Sequence, residues 1–417
     1  MNSGQSRRGW RAVTALALAG IAVVTLSPRP EQAETVALTP FWCLLCGDLG
    51  AVDVLLNVAL FVPLGFGLRR AGRPVRQVGL LALGTSLTVE LLQILVPGRD
   101  PSLSDLITNT AGGVMGGLLA EWVPLFLAPA PPLAGFLAAG WAVVWLIQSL
   151  LTAAIVTPAL PPDWFWGQLA PDLAQFERFR GRVVSASAGP YPIRIRRLTA
   201  TEAIRRGLLS GDPLVGVTTP GDHTIGLAPI VSIFDQHHRE IALLGRWGDD
   251  LVYRLRTRAF DALLRPPAIR LTGAFGGRDS SLVGVAGRYD PSGATFVVAL
   301  EANGTRAERR VPLSAQWGWM LLVPFAYAYG PEGPIATAVW IFGWMVPLGF
   351  WGWRSGRLGA AAGLGLLALG LGVVPRVFGL QGAAGGEWLA ALAGFGLGAL
   401  AGVSRPAPAA LLRRRTA

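Results

Sequence analysis

Lysine is missing from this chain: all 36 basic residues are arginine. Charge of either sign is scarce, at 15% of 417 residues, where a soluble chain would carry about 25%. Cysteine occurs twice, histidine three times and methionine four times. Each shortage excludes something. Two cysteines allow no disulfide framework beyond one bridge and cannot alone build a structural zinc site. Two of the three histidines stand in Asp235-Gln236-His237-His238, which sequence pattern places in a hairpin turn. With no further ligand set beside them, neither a metal nor a cofactor is expected. The net charge of +11 raises the question of nucleic acid. The arginines form short clusters between apolar segments rather than one stripe, so no nucleic-acid partner is expected.

Apolar length is what the chain has in abundance. Hydrophobic residues make up 52% and the mean hydropathy is +0.47. Eight segments have the roughly 17–25 residues that a membrane-crossing helix needs. They run from about Trp10 to Leu26, Val52 to Leu68, Gln77 to Val96, Leu106 to Leu127, Leu133 to Val156, Pro334 to Trp353, Leu358 to Phe378 and Glu387 to Val403. Arg7, Arg8 and Arg11, then Arg69, Arg70, Arg73 and Arg76, then Arg354 and Arg357, then Arg405 and Arg413 to Arg415 flank these spans. With eight spans all four clusters fall on one face, which the positive-inside rule makes cytoplasmic, together with both termini and the basic tail over 404–417. No small-x-small cleavage site follows the first span promptly, so it is expected to stay as an anchor.

Residues 160–312 read differently. Short alternating runs such as Ile193-Arg194-Ile195-Arg196, Ile230 to Phe234 and Leu251 to Arg256 are separated by turn signals including Pro220-Gly221-Asp222 and Asn303-Gly304. That pattern predicts an antiparallel β-sandwich. Lying between spans five and six, it would be extracytoplasmic. The expected fold class is a polytopic α-helical membrane protein with an inserted antiparallel β-sandwich.

An internal echo divides the helices into two parallel four-helix repeats. Val62-Pro63-Leu64-Gly65-Phe66 returns as Val346-Pro347-Leu348-Gly349-Phe350, an offset of 284 (346 minus 62), and Arg70, Gly72 and Arg73 return as Arg354, Gly356 and Arg357. Ala111-Gly112 and Gly116 return as Ala393-Gly394 and Gly398, an offset of 282 (394 minus 112). The expected domains are a membrane unit over 10–127, a helix over 133–156 opening a second unit, the sandwich over 160–312 and the rest of that unit over 317–403. Trp317 to Gly330, apolar but short, suits a re-entrant or interfacial segment.

Polar residues of the first unit do not return in the second. Asp53 becomes Thr337, Asn57 becomes Ile341, Glu90 becomes Val374, Gln93 becomes Val377 and Asn109 becomes Ala391. Residues needed only to hold a shared fold should recur in both copies. Charged residues in a span are costly and usually functional. The candidate ligand-binding set is therefore Asp53, Asn57, Glu90, Gln93, Arg99, Asp105 and Asn109, with Arg99 as counter-charge to Glu90. A structural alternative stands beside it: Ser102, Ser104 and Asp105 suit a helix N-cap, and a Glu90–Arg99 pair would pin a loop. Gly112 and Gly116 read as helix packing. Cys43-x-x-Cys46 has a redox spacing without the strand–helix–strand setting, so buried free thiols or one disulfide are expected rather than catalysis.

In order, Asn57, Phe61 to Phe66, Glu90-x-x-Gln93, Pro97-Gly98-Arg99 and Asp105-x-x-x-Asn109-x-x-Gly112 resemble VanZ-like membrane proteins over about Trp10 to Leu127. That family is named for a protein associated with resistance to the glycopeptide teicoplanin, and the resemblance implies no particular reaction. Residues 230–257 are similar to part of a laminin-G or concanavalin-like lectin sandwich, which would add a carbohydrate partner. The expected function is binding of an envelope glycan, lipid-linked headgroup or glycopeptide at an outer-leaflet polar pocket, with a contribution to glycopeptide resistance. One alternative is a membrane transferase or hydrolase acting on a lipid-linked sugar with Glu90 as acid/base. A second is a transporter. Nothing in the sequence indicates an oligomeric state.

Overall fold

Long helices follow from the long apolar runs: in lipid every backbone polar group needs an internal partner, and an α-helix supplies it. The computed structural model describes residues 3–28, 40–45, 47–99, 101–173, 175–277 and 281–403. The expected basic tail and Cys46 lie outside these. Among the described residues, eight helices are long and apolar enough to cross a membrane, and the chain is a multi-pass membrane protein. It forms two compact units, one built on Met1–Ala130 and one on Pro131–Arg405.

The N-terminal unit contains α1 (Ser3–Leu26), α2 (Gly50–Arg70), α3 (Val75–Gln93) and α4 (Leu103–Leu127). Glycine decides how closely α2 and α4 approach. A Cβ at Gly112 would fall on the carbonyl oxygen of Val58, and one at Gly116 on that of Val62. A Cβ at Gly65 would strike the carbonyl of Gly113. Val58 meets Gly112 and Val62 meets Gly116, so the two helices run in the same direction. Helix α3 runs against α4, with Ala82 on Gly113 and Val78 on Gly117. The apolar centre of this unit is small: Ile21, Phe61, Leu64, Ala82 and Val89.

The second unit opens with α5 (Pro131–Ile155) and leads into the sandwich. Strands β1 (Phe165–Leu169), β2 (Val183–Ala188), β3 (Tyr191–Pro192) and β4 (Arg196–Arg197) come first. Helix α6 (Thr201–Ser210) follows, then β5 (Leu214–Thr218), β6 (Leu227–Asp235), β7 (Glu240–Trp247), β8 (Asp250–Leu255) and β9 (Ala268–Leu271). Strands β10 (Val283–Asp290), β11 (Thr295–Ala302) and β12 (Thr305–Pro312) complete it. They form two six-stranded sheets, ordered β4-β1-β6-β7-β8-β9 and β12-β11-β10-β5-β2-β3. The sheets meet where Tyr253 of β8 packs edge-on against Phe296 of β11, ring centroids 5.8 Å apart. Asn303 and Gly304, both at positive φ, turn β11 into β12 as an Asn-Gly hairpin should. The expected strand through Ile193 to Arg196 is reduced to the two short pieces β3 and β4. The helix at Thr201–Ser210, with Ile204 and Leu208 buried, was not anticipated.

After the sandwich come α7 (Gly333–Arg354), α8 (Arg357–Ala368), a π-helical turn over Leu369–Val373, and α9 (Gly385–Val403). Here α7 and α9 pack as α2 and α4 do. A Cβ at Gly394 would meet the carbonyl of Phe342, one at Gly398 that of Val346, and one at Gly349 that of Phe395. The centre is larger and apolar: Trp145, Ile341, Met345, Leu348, Leu371 and Phe395 all belong to it. The segment after β12 is tied to the sandwich. Tyr329 pairs in parallel with Ile269 of β9, and Trp317 is 1% exposed. One apolar cluster runs from Ala153 and Val156 through Tyr253, Phe296 and Trp317 to Val374 and Leu380. Sandwich and helices of this unit therefore share a core.

Candidate functional site

Glutamate in the last turn of a membrane helix must meet a hydrogen-bond donor or remain costly. Glu90 is 4% exposed, and its Oε2 accepts the backbone N–H of Ser102 at 2.7 Å. Ser102 is also the N-cap of α4, its hydroxyl accepting from Ser104 N at 3.1 Å. The capping reading of Ser102 thus holds, and the cap is joined to Glu90 through its own backbone. Ser104 donates through its hydroxyl to the carbonyl of Leu44 at 2.8 Å, and Leu103 N to that of Phe41 at 2.9 Å. Residues 40–45 are thereby tied to the start of α4. Cys43, in that segment, is disulfide-bonded, which takes its thiol out of play.

One turn deeper, Asn109 Nδ2 donates to Ser86 Oγ at 3.1 Å, with both side chains buried. Gln93 Nε2 donates to the carbonyl of Thr25 on α1 at 3.0 Å. The structure thus gathers Ser86, Glu90 and Gln93 of α3 with Ser102, Ser104 and Asn109 at the head of α4. The remaining oxygens of two amides, Asn109 Oδ1 and Gln93 Oε1, have no hydrogen-bond partner among the described residues. A buried acceptor left unmatched costs ~1–3 kcal/mol.

Other expected members are placed differently. Arg99 was read as the counter-charge of Glu90. Its Nη2 donates to the carbonyl of Val24 at 2.6 Å and its Nε to that of Ser27 at 3.0 Å. The last carbonyls of α1 lack intrahelical donors and draw the guanidinium. Asp53 is exposed near the start of α2, and Asn57 is half-buried one turn on. Asp105, in the first turn of α4, presents its backbone carbonyl to Ser86 Oγ at 3.5 Å. Thr25 and the carbonyls of Val24 and Ser27 were invisible to sequence reasoning, because backbone oxygens leave no residue signature.

The second candidate, in the sandwich, is a network of charges. Ligand atoms of Asp163, Asp235 and His237 lie within 4.8 Å of one another. Asp235, however, is fully engaged. Its Oδ1 accepts from His237 N at 2.8 Å and Arg239 N at 2.9 Å. Its Oδ2 accepts from Arg239 Nε at 2.8 Å and Arg256 Nη1 at 3.2 Å. Burial pushes the Asp235 carboxyl up, but the backbone N–H groups of Arg239 and His237 and the Arg239 guanidinium together hold it below its ordinary range. Two arginines already occupy the place where a cation would go. The cluster pins the β6–β7 turn.

A protein-family model described as VanZ/LLP1 matches residues 11–125. These residues take in α2 and α3 whole, most of α1 and α4, and the whole buried polar cluster. Comparison with curated proteins and with solved structures found no match.

Proposed function

We propose that the N-terminal unit binds the polar headgroup of an envelope glycan, lipid-linked sugar or glycopeptide. The carrying observation is the pair of buried acceptors, Asn109 Oδ1 and Gln93 Oε1, beside the Glu90 carboxylate. An oxygen-rich buried site calls for a donor-rich ligand, and hydroxyl or amine groups supply N–H and O–H where the protein does not. Arginine recognition would favour a phosphate or carboxylate, whereas the unmatched acceptors favour hydroxyl and ammonium groups. Glu90 Oε2 is already taken by Ser102 N, an arrangement better suited to holding a ligand than to shuttling a proton.

We infer that the arginine-flanked helix ends face the cytoplasm, which puts the cluster and the sandwich on the outer side. An epitope inserted beside Arg239 should be reached by an impermeant reagent from outside the cell; labelling only after lysis sinks this topology. The matching glycine–carbonyl contacts in the two units support an origin by duplication. A lectin-like role for the sandwich rests on its two-sheet architecture and nothing finer. It cannot be tested by excision, because the sandwich shares its core with α5 and the segment around Val374.

Glu90→Gln should leave the amount of protein in the membrane unchanged and abolish any contribution to teicoplanin resistance. A normal phenotype in that variant would remove the polar cluster from the function. Turnover of a lipid-linked precursor by purified protein, absent from Glu90→Gln, would replace binding with catalysis.

A further inference from the structure

Between α1 and α3 the N-terminal unit carries an open groove of 540 Å³, walled by Leu18, Ile21 and Leu26 on one side and Leu81, Val89 and Leu92 on the other. That volume lies within the ~300–1,000 Å³ of small-molecule sites. Both walls belong to helices apolar enough to span a membrane. The hydroxyl of Thr88, which also lines it, is turned to the carbonyl of Gly84 at 2.8 Å. The wall therefore has little to offer water and suits hydrocarbon.

One end of the groove is polar. Just beyond Val89 and Leu92 on α3, and beside Leu26 on α1, the Gln93–Thr25 hydrogen bond crosses from helix to helix. Arg99 is held there against the carbonyls of Val24 and Ser27. Gln93 stands just past the groove lining and one turn from Glu90, with an unmatched acceptor oxygen.

We propose that this groove holds one hydrocarbon chain of a membrane amphiphile whose hydroxyl- or amine-bearing headgroup lies at the Glu90–Gln93–Asn109 cluster. The proposal rests on the reading of that cluster as a headgroup site, and it names the ligand class: a lipid, entering sideways from the bilayer, rather than a free sugar or peptide. A chain between two helices with its head hydrogen-bonded should outlast the lipids that merely surround the protein.

The test uses the full chain in nanodiscs of phosphatidylethanolamine and phosphatidylglycerol, with lipid retained after transfer to mild detergent counted by native mass spectrometry. Gly84 lines the groove and a Cβ there meets nothing within 4 Å, so Gly84→Trp fills the groove without displacing protein. Gly20, on α1 outside the groove lining, is equally unobstructed, and Gly20→Trp is the control. Retained lipid should fall by about tenfold in Gly84→Trp, a change worth ~1.4 kcal/mol, and stay unchanged in Gly20→Trp. Thr88→Phe fills the same groove should Gly84→Trp express poorly. Equal retention in wild type, Gly84→Trp and Thr88→Phe overturns the proposal. Asn109→Ala tests the reading beneath it: the chain should still be retained, with the preference between the two headgroups lost. An unchanged preference there, with retention lost in Gly84→Trp, would sink the headgroup site and leave the groove occupied.

Discussion

Asn109 in the N-terminal unit donates to Ser86; 282 and 284 positions on (391 minus 109, 370 minus 86) stand Ala391 and Gly370. A Cβ at Gly370 would run into the indole of Trp145, which is wholly buried. One bundle has an amide–hydroxyl pair at its centre and the other a tryptophan lying on a glycine. Around these centres the frames agree. Gly112 and Gly116 bring α4 onto the carbonyls of Val58 and Val62, and Gly394 and Gly398 bring α9 onto those of Phe342 and Val346. The second bundle makes the same close approach on Trp145, Ile341, Ala391 and Phe395, so that approach does not depend on the Ser86–Asn109 pair.

Four measurements would break or sharpen this comparison. The largest effect on stability should come from the shared frame. Gly116→Leu and Gly398→Leu each drive a side chain into a backbone carbonyl, which cannot move aside as a side chain could, and overpacking costs ~1–3 kcal/mol or more even against yielding neighbours. Both variants should lose the folded protein by fluorescence-detected size exclusion. If Gly398→Leu folds normally, the second bundle is looser than its contacts show.

Next comes the apolar centre. Trp145→Ala should cost ~3–5 kcal/mol, the range for a large buried aromatic, read as a fall in melting temperature.

A smaller, pH-dependent effect belongs to the sandwich alone. Asp235 is held below its ordinary range, so its contribution is present above the unfolded-state value near pH ~3.9 and is lost as pH falls through the folded one. Pulsed hydrogen exchange after acid incubation should show β6 and β7 losing protection below about pH 4. Asp235→Asn should open the same strands at neutral pH. Acid resistance of those strands would leave the charge network without weight.

The smallest change in stability is expected from placing second-unit residues in the first. Glu90→Val with Asn109→Ala removes a buried charge and an unmatched amide oxygen but leaves the Ser102 N–H and the Ser86 hydroxyl without these partners, so opposing effects of ~1–3 kcal/mol each largely offset. Melting temperature should change little while lipid headgroup preference disappears. A variant that no longer folds would show the polar residues to be structural and end the argument from asymmetry.

Much of the frame was legible in the sequence. Eight apolar runs of spanning length became eight helices, because a backbone in lipid has almost no alternative. Alternating runs such as Ile230 to Phe234 became strands, and Asn303-Gly304 became the turn its two small φ-tolerant residues favour. Less legible were elements stabilised by distant neighbours. The pairing of Tyr329 with Ile269 at the edge of a sheet has no local signal in the sequence. Within the site, helical spacing placed Ser86, Glu90 and Gln93 on one face of α3, since 3.6 residues per turn fixes that much. It could not show that Arg99 would donate to the open carbonyls at the end of α1.

The amino-acid order by itself determined the number of spans, the position of the sandwich and which bundle carries polar residues, because these follow from local hydrophobicity and chain periodicity. Only the tertiary structure decided what those polar residues touch. Glu90 meets the N–H of Ser102, Asn109 meets Ser86 and Arg99 meets α1. Hydrogen bonds across helices depend on which backbone atoms are left without partners where two elements meet, and that is a property of their packing.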